Sequence, residues 1–181
     1  MKIVSRSALV LLGALVASGP VSAQEYPGIW TGFYAGAHTG YGDVYDDPAG
    51  FDVSGGLLGM HLGYNYQIGS TVLGVEGDYT GSWMEDGVLD VDYLASIRAR
   101  AGYSVGNALF YGTIGYAWAD ASTLAGSADF DGLVLGAGLD YKFAQNWSAR
   151  VEGLQYWLEP DRNVGDLDVG VVRAGLTWHF N

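Results

Sequence analysis

Residues 96–103 read SIRARAGY. In an extended chain, strict alternation puts Ile97, Ala99, Ala101 and Tyr103 on one face and Arg98 and Arg100 on the other. Such a strand separates an apolar medium from a polar one, and the fold depends on which of the two lies inside. The same period of two recurs in eight segments, at 30–41, 54–67, 71–81, 92–103, 108–119, 132–143, 147–157 and 169–180. Their connections alternate in length. Those at 68–70, 104–107 and 144–146 are tight, while those near 42–53, 82–91, 120–131 and 158–168 are longer and rich in Asp and Gly. This spacing predicts an all-β fold, an eight-stranded antiparallel up-and-down barrel with both termini at its short-turn end.

Side-chain parity decides between two kinds of barrel. One face carries no charge: Phe33, Ala35 and Ala37 are followed on later strands by Leu58, Met60, Leu62, Tyr64, Leu73, Val75 and Tyr79, and at the end by Leu176, Trp178 and Phe180. The opposite face holds Tyr34, His38, His61, Asn65, Tyr111, Thr113, His179 and the charged side chains of the strands, with glycines between them. A soluble lipocalin-like barrel would turn its apolar face inward and a continuous polar face to water. Here the polar face is half glycine, and many aromatic residues of the apolar face stand near strand ends, as in a lipid-facing band with aromatic girdles. The apolar face is therefore read as outward, toward hydrocarbon. Strands of about ten tilted residues span a bilayer, and closure leaves no unpaired backbone edge in lipid.

Composition agrees with one such domain. The chain has 181 residues, 49% apolar and 14% aromatic, with 29 Gly and only 4 Pro, which is too apolar for disorder. It has no Cys, which excludes disulfides, thiolate metal sites and a cysteine nucleophile. Lys2 and Arg6 precede the apolar run Ala8 to Ala17, and Val21-Ser22-Ala23 offers small residues for cleavage, so residues 1–23 read as a signal peptide. Residues 24–29 are then a periplasmic N-terminal segment and 30–181 the transmembrane β-barrel. Without the leader, 6 basic residues face 20 acidic ones, a formal charge of −14. No nucleic-acid partner is expected, because phosphate binding needs a basic surface.

Several stretches in order carry a family resemblance: IWTGFYAGAHTGYG at 29–42, LLGMHLGYNYQ at 57–67, VLGVEGDYTGS at 72–82, SIRARAGY at 96–103, LFYGTIGYAWA at 109–119, GLDYKFAQNWSARVEGL at 138–154 and VRAGLTWHF at 172–180. Together they resemble the small outer-membrane β-barrel proteins, in particular the porin-family major outer-membrane proteins of alphaproteobacteria. The resemblance implies a surface-exposed barrel of the Gram-negative outer membrane that stabilises the envelope. Its implied partners are outer-membrane lipid, lipopolysaccharide and the barrel-assembly machinery. Such barrels usually end on an aromatic residue, whereas here Asn181 follows Phe180.

The charged lumen face has its own expected chemistry. Keeping parity across the connections places Glu76 opposite Arg98, with Asp78 one step nearer the outside and Arg100 beside them. It also places Asp140 opposite Arg150 and Glu152 near Arg173, with Lys142 diagonal to these. Four acids and five bases would nearly cancel in a lumen that eight strands leave largely filled by side chains. The expectation is a paired polar core that sets strand register. A small-solute or ion channel lined by the same charges is the alternative. A lipid-modifying enzyme is the third reading, and it finds little support. His38, His61 and His179 all lie on lumen parity, with His61 and His179 expected toward the periplasmic end, and no Ser or Asp stands in recognisable triad spacing to them. No catalytic residue, cofactor site or metal site is assigned.

Fifteen acids crowd the expected loops and their edges: Asp43, Asp46, Asp47 and Asp52 in the first; Glu85, Asp86 and Asp90 in the second, with Asp92 at its edge; Asp120, Asp129 and Asp131 around the third; Glu159, Asp161, Asp166 and Asp168 in the fourth, opposed there only by Arg162. They suit a soluble cell-surface rim; the alternative is that they take divalent cations shared with lipopolysaccharide phosphates, weakly, since no loop has the ordered spacing of a calcium motif. Protease shaving of intact cells is expected to cut near residues 47, 86, 126 and 163. Cleavage near 69 or 105 would reverse the orientation.

Overall fold

The computed structural model describes residues 28–45, 54–85, 89–123, 126–160 and 167–180. Alternating side chains make eight strands of them: β1 (Gly32–Tyr45), β2 (Ser54–Ile68), β3 (Thr71–Glu85), β4 (Leu89–Val105), β5 (Ala108–Thr123), β6 (Gly126–Lys142), β7 (Trp147–Pro160) and β8 (Leu167–His179). Each pairs antiparallel with its sequence neighbours, and β1 pairs with β8, so the sheet is a closed barrel with no free side. Two of the tight connections turn on Gly69 and Gly106, each at φ 59, a left-handed conformation that costs glycine nothing. Both ends of the described chain lie at this turn end, where Tyr34 is the register partner of His179.

The parity inferred from SIRARAGY holds around the barrel. Ile97 is 63% exposed, whereas Arg98 is 1% and Arg100 4%. The outward face carries two aromatic belts. On β4, Tyr103 and Tyr93 stand ten residues apart, as do Trp147 and Trp157 on β7. That is about 33 Å along a strand and, at the roughly 40° tilt of such barrels, about 25 Å across the membrane.

Three expectations need correction. The strands run further at the loop end than the apolar alternation indicated, so Asp43, Glu85, Asp90, Asp120, Asp129, Asp131, Glu159 and Asp168 lie on strands and not in loops. Apolar alternation stops where lipid stops, but the hydrogen-bonded ladder continues as long as both neighbours supply partners. Asp46, Asp47, Asp52, Asp86, Asp161, Arg162 and Asp166 lie outside the described residues, as do residues 1–27, with the expected signal peptide and most of the expected N-terminal segment. Second, position 126 is the first residue of β6, not a loop tip. Third, β1 begins at Gly32, not at residue 30. Gly32 has φ 133, and the reversal it permits turns Trp30 into the barrel mouth.

Lumen-facing glycines make room for large side chains crossing the narrow interior. A Cβ at Gly63 would overlap the phenol of Tyr34, and one at Gly138 would overlap the hydroxyl of Tyr111. Gly153 faces outward with nothing near its missing Cβ. Gly63→Val is therefore expected to lower the unfolding free energy by about 1–3 kcal/mol, or to prevent the heat-modifiable folded form. Gly153→Ala is expected to stay within about 0.5 kcal/mol, both read by urea titration in detergent micelles.

Candidate functional site: the filled interior

Polar groups removed from water must satisfy one another, and the middle of the lumen shows how. Four carboxylates, Glu76 and Asp78 from β3, Asp140 from β6 and Glu152 from β7, meet Arg98 and Arg100 from β4, Arg150 from β7 and Arg173 from β8. Glu76 Oε1 accepts from Arg98 Nη2 at 2.5 Å, and its Oε2 accepts from Arg150 Nη1 at 2.7 Å and Arg100 Nη1 at 2.9 Å. Tyr34 donates to the same Oε2 at 2.8 Å and accepts from Arg100 at 2.7 Å. Asp140 takes Arg150 through two nitrogens, Nε at 2.8 Å and Nη2 at 3.1 Å, and Arg100 Nη2 at 2.9 Å. Glu152 receives Arg98 Nη1 at 3.2 Å and Arg173 Nε at 2.7 Å. Asp78 receives Arg173 Nη1 at 2.5 Å and the hydroxyl of Ser96. The ring of Tyr111 lies 3.8 Å beneath the Arg100 guanidinium, adding a cation–π contact.

Glu76↔Arg98, Asp140↔Arg150 and Glu152↔Arg173 are direct register partners. Lys142 does not join them. It reaches toward the turn end, donating to the carbonyls of Ile29 at 2.6 Å and Gln145 at 3.3 Å and standing 5.5 Å from the Trp30 ring. Its diagonal position had suggested an ion pair; the backbone carbonyls of the N-terminal segment, whose path the strand pattern does not specify, are nearer partners.

The histidines are also arranged differently from expectation. His179 is at the turn end, its Nε2 3.0 Å from Ser148 Oγ. His61 is instead mid-barrel beside His38, with the two Nδ1 atoms 3.3 Å apart. A guanidinium can only donate, and Arg173 Nη1 lies 3.3 Å from His38 Nε2. Facing that donor, Nε2 takes the acceptor role, with Thr80 Oγ1 2.9 Å away, so the His38 proton sits on Nδ1 and is given to His61. The His61 proton on Nε2 then goes to Thr177 Oγ1 at 2.9 Å. One fixed donor thus sets the direction of a whole hydrogen-bonded chain.

Dry layers close the charged zone at both ends, and the strand pattern had not been read for them. At the turn end Trp30, fully buried, packs with Val72, Leu109 and Tyr111. Its backbone N–H donates to Gln67 Oε1 at 3.1 Å and its indole to Ser104 Oγ at 3.0 Å. At the loop end Leu57, Leu94, Phe130, Val134, Leu154, Leu158, Val169 and Val171 form a second buried cluster. Their lumen parity was legible in the sequence as apolar residues on the otherwise polar face.

A closed eight-stranded barrel with an apolar outer belt and a charge-matched interior belongs in an outer membrane. The family described as outer membrane protein beta-barrel domain matches residues 8–180. The chain belongs to that family. It is 30% identical over 204 residues to the 31 kDa outer-membrane immunogenic protein of Brucella melitensis, covering 90% of this chain and 85% of that one. It is 34% identical to the 22 kDa outer membrane protein of Rhizobium leguminosarum bv. viciae, over 72% of this chain and 67% of that one. Among solved structures it resembles Neisserial surface protein A (NspA) with TM-score 0.63 and 19% identity, over 83% of this chain and 98% of that one. It also resembles Ail, the attachment invasion locus protein of Yersinia pestis, with TM-score 0.54 and 19% identity, over 83% of this chain and all of that one. These two likenesses are of fold. The protein is thus an integral outer-membrane barrel with a structural and surface role in the envelope.

Glu76→Gln in this outer-membrane barrel would leave three guanidinium groups in the dry interior with one carboxylate fewer. It is expected to cost about 3–5 kcal/mol in denaturant titration, the range for breaking a buried pair. Asp131→Asn, outside the lumen, should change stability by less than about 0.5 kcal/mol.

Proposed function

We propose that this outer-membrane barrel acts as a closed wall and surface element of the envelope, neither a conduit nor a catalyst. The observation that carries this reading is the filling of the lumen along its length: the Trp30 layer at one mouth, the arginine–carboxylate ring in the middle and the apolar cluster at the other mouth. A solute or ion would have to displace packed side chains and separate buried ion pairs, whereas channels keep a wet path. The role of the ring is to hold strand register, since a one-residue slip would turn its charges toward lipid.

A catalytic reading meets the same obstacle. Ser148 and His179 lie within hydrogen-bond reach, but Ser148 is fully buried and Trp30 packs edge-on to the imidazole at 5.5 Å, so no substrate reaches the hydroxyl. With the turn end facing the periplasm, the acidic loop end meets lipopolysaccharide, and divalent cations bridge its carboxylates to lipid phosphates. The assembly machinery would act on the closing seam, where Phe180 N–H still donates to Phe33 O at 3.0 Å beyond the end of β8.

Planar-bilayer recording tests the closed lumen. The purified barrel should give no stable single-channel steps, and Trp30→Ala alone should not create them, because the ring and the loop-end cluster remain. Regular steps altered by Arg98→Ala or Glu76→Ala would establish the channel reading instead.

A further inference from the structure

The ion pairs of the ring do not satisfy every polar atom beside them. One register row through Arg100 crosses the lumen face of five strands as Asn65, Gly74, Arg100, Thr113 and Gly136. Asn65, Arg100 and Thr113 are 1%, 4% and 5% exposed. Yet both amide atoms of Asn65, Nε of Arg100 and Oγ1 of Thr113 have no hydrogen-bond partner among the described residues. One step nearer the turns, the hydroxyl of Tyr111 is buried and unpartnered there too. A buried donor or acceptor left alone is costly, and folded proteins supply its partner from protein or from ordered water.

The glycines of the row show where these groups lie. A Cβ at Gly74 would overlap Asn65 Oδ1, so the amide leans over Gly74, on the side of Arg100. On β6, a Cβ at Gly138 would overlap the Tyr111 hydroxyl, and one at Gly136 would stand 3.1 Å from the Thr113 methyl. Tyr111 and Thr113 therefore lean over consecutive lumen positions of β6, with the Arg100 guanidinium 3.8 Å from the Tyr111 ring. The unpartnered atoms fall into two sets, the Asn65 amide on one side of Arg100 and the two hydroxyls with Nε on the other.

Their chemistry selects the ligand. Arg100 Nε can only donate, Asn65 Oδ1 can only accept and the hydroxyls do either, so the ligand must both accept and donate. It must be neutral, because the four carboxylates of the ring already match its four guanidinium groups. A cation would meet Arg100, and an anion would meet Glu76 and Asp140, which Arg100 already holds. It must be small, because the Trp30 layer lies on the turn side and the ion pairs on the other. We propose that this row binds ordered water at two places, on the Asn65 amide and between Arg100 Nε, Thr113 and Tyr111. Such water completes the hydrogen bonding of the ring without altering its charge balance, as enclosed molecules and not as a path.

Oxygen-17 relaxation dispersion of the purified barrel in micelles counts water molecules held for nanoseconds or longer. Asn65→Leu, close in volume, and Thr113→Val, alike in shape, should each lower the dispersion amplitude by about one water. Gly153→Ala on the outer wall should leave it unchanged. Retention of the wild-type amplitude by both lumen variants overturns the proposal, and retention by one of them overturns the site at that residue. Heat-modifiable migration identifies folded barrels; should Asn65→Leu not fold, Thr113→Val carries the test. Exchanging chloride for gluconate in the buffer should not change the wild-type amplitude. A rise on that exchange would mean that chloride had held the place, and would overturn water as the ligand. The inference rests on the closed lumen, since water in an open path exchanges too fast to register. An open lumen would show as single-channel steps in planar bilayers, whereas a dry row would show as unchanged amplitudes without steps.

Discussion

Glu76 holds the interior together. Its carboxylate is hydrogen-bonded to Arg98, Arg100 and Arg150 and to Tyr34, and Arg173 Nη2 lies 3.7 Å from it. Around it each arginine touches at least two acids, so no charge in the ring depends on a single partner. The ring draws side chains from β3, β4, β6, β7 and β8 to one level of a narrow tube. In so dry a space the attraction between opposite charges is strong, but so is the cost of leaving any of them alone. Such a network adds little to stability over a packed hydrocarbon core, yet it penalises every alternative register, because a slip by one residue exposes several charges to lipid at once.

The two apolar layers make that arrangement possible. Trp30 below and the Leu, Val and Phe cluster above bracket the charged ring among the described residues, and a middle poor in water strengthens its ion pairs. Trp30 achieves this from outside the strand ladder, anchored by Gln67 and Ser104 and flanked by Lys142. Among the described residues every basic side chain is buried in the lumen, and the outward face is largely apolar and aromatic.

Much of this can be reasoned from local pattern alone. In SIRARAGY the period of two separates Ile97, Ala99 and Ala101 from Arg98 and Arg100, and repeating the exercise on all strands fixes their order, the lipid face and the direct pairs Glu76↔Arg98, Asp140↔Arg150 and Glu152↔Arg173. These follow because alternation is a property of single strands, and tight turns convert sequence spacing into register. The strand ends at the loop side were misjudged for the same reason: hydropathy marks the bilayer, not the ladder.

The sequence by itself determined the closed eight-stranded topology, the lipid-facing side and the charges that must share the lumen, since each is set by residues near one another along the chain. Only the tertiary structure decided which guanidinium atoms reach Glu76 across the tube, why Lys142 turns to the Ile29 carbonyl and how His61 meets His38. It also decided that Trp30 closes the mouth. These contacts join side chains from different strands across the lumen, where the distance between two atoms depends on barrel closure, strand tilt and rotamers together, and no spacing along the chain records that.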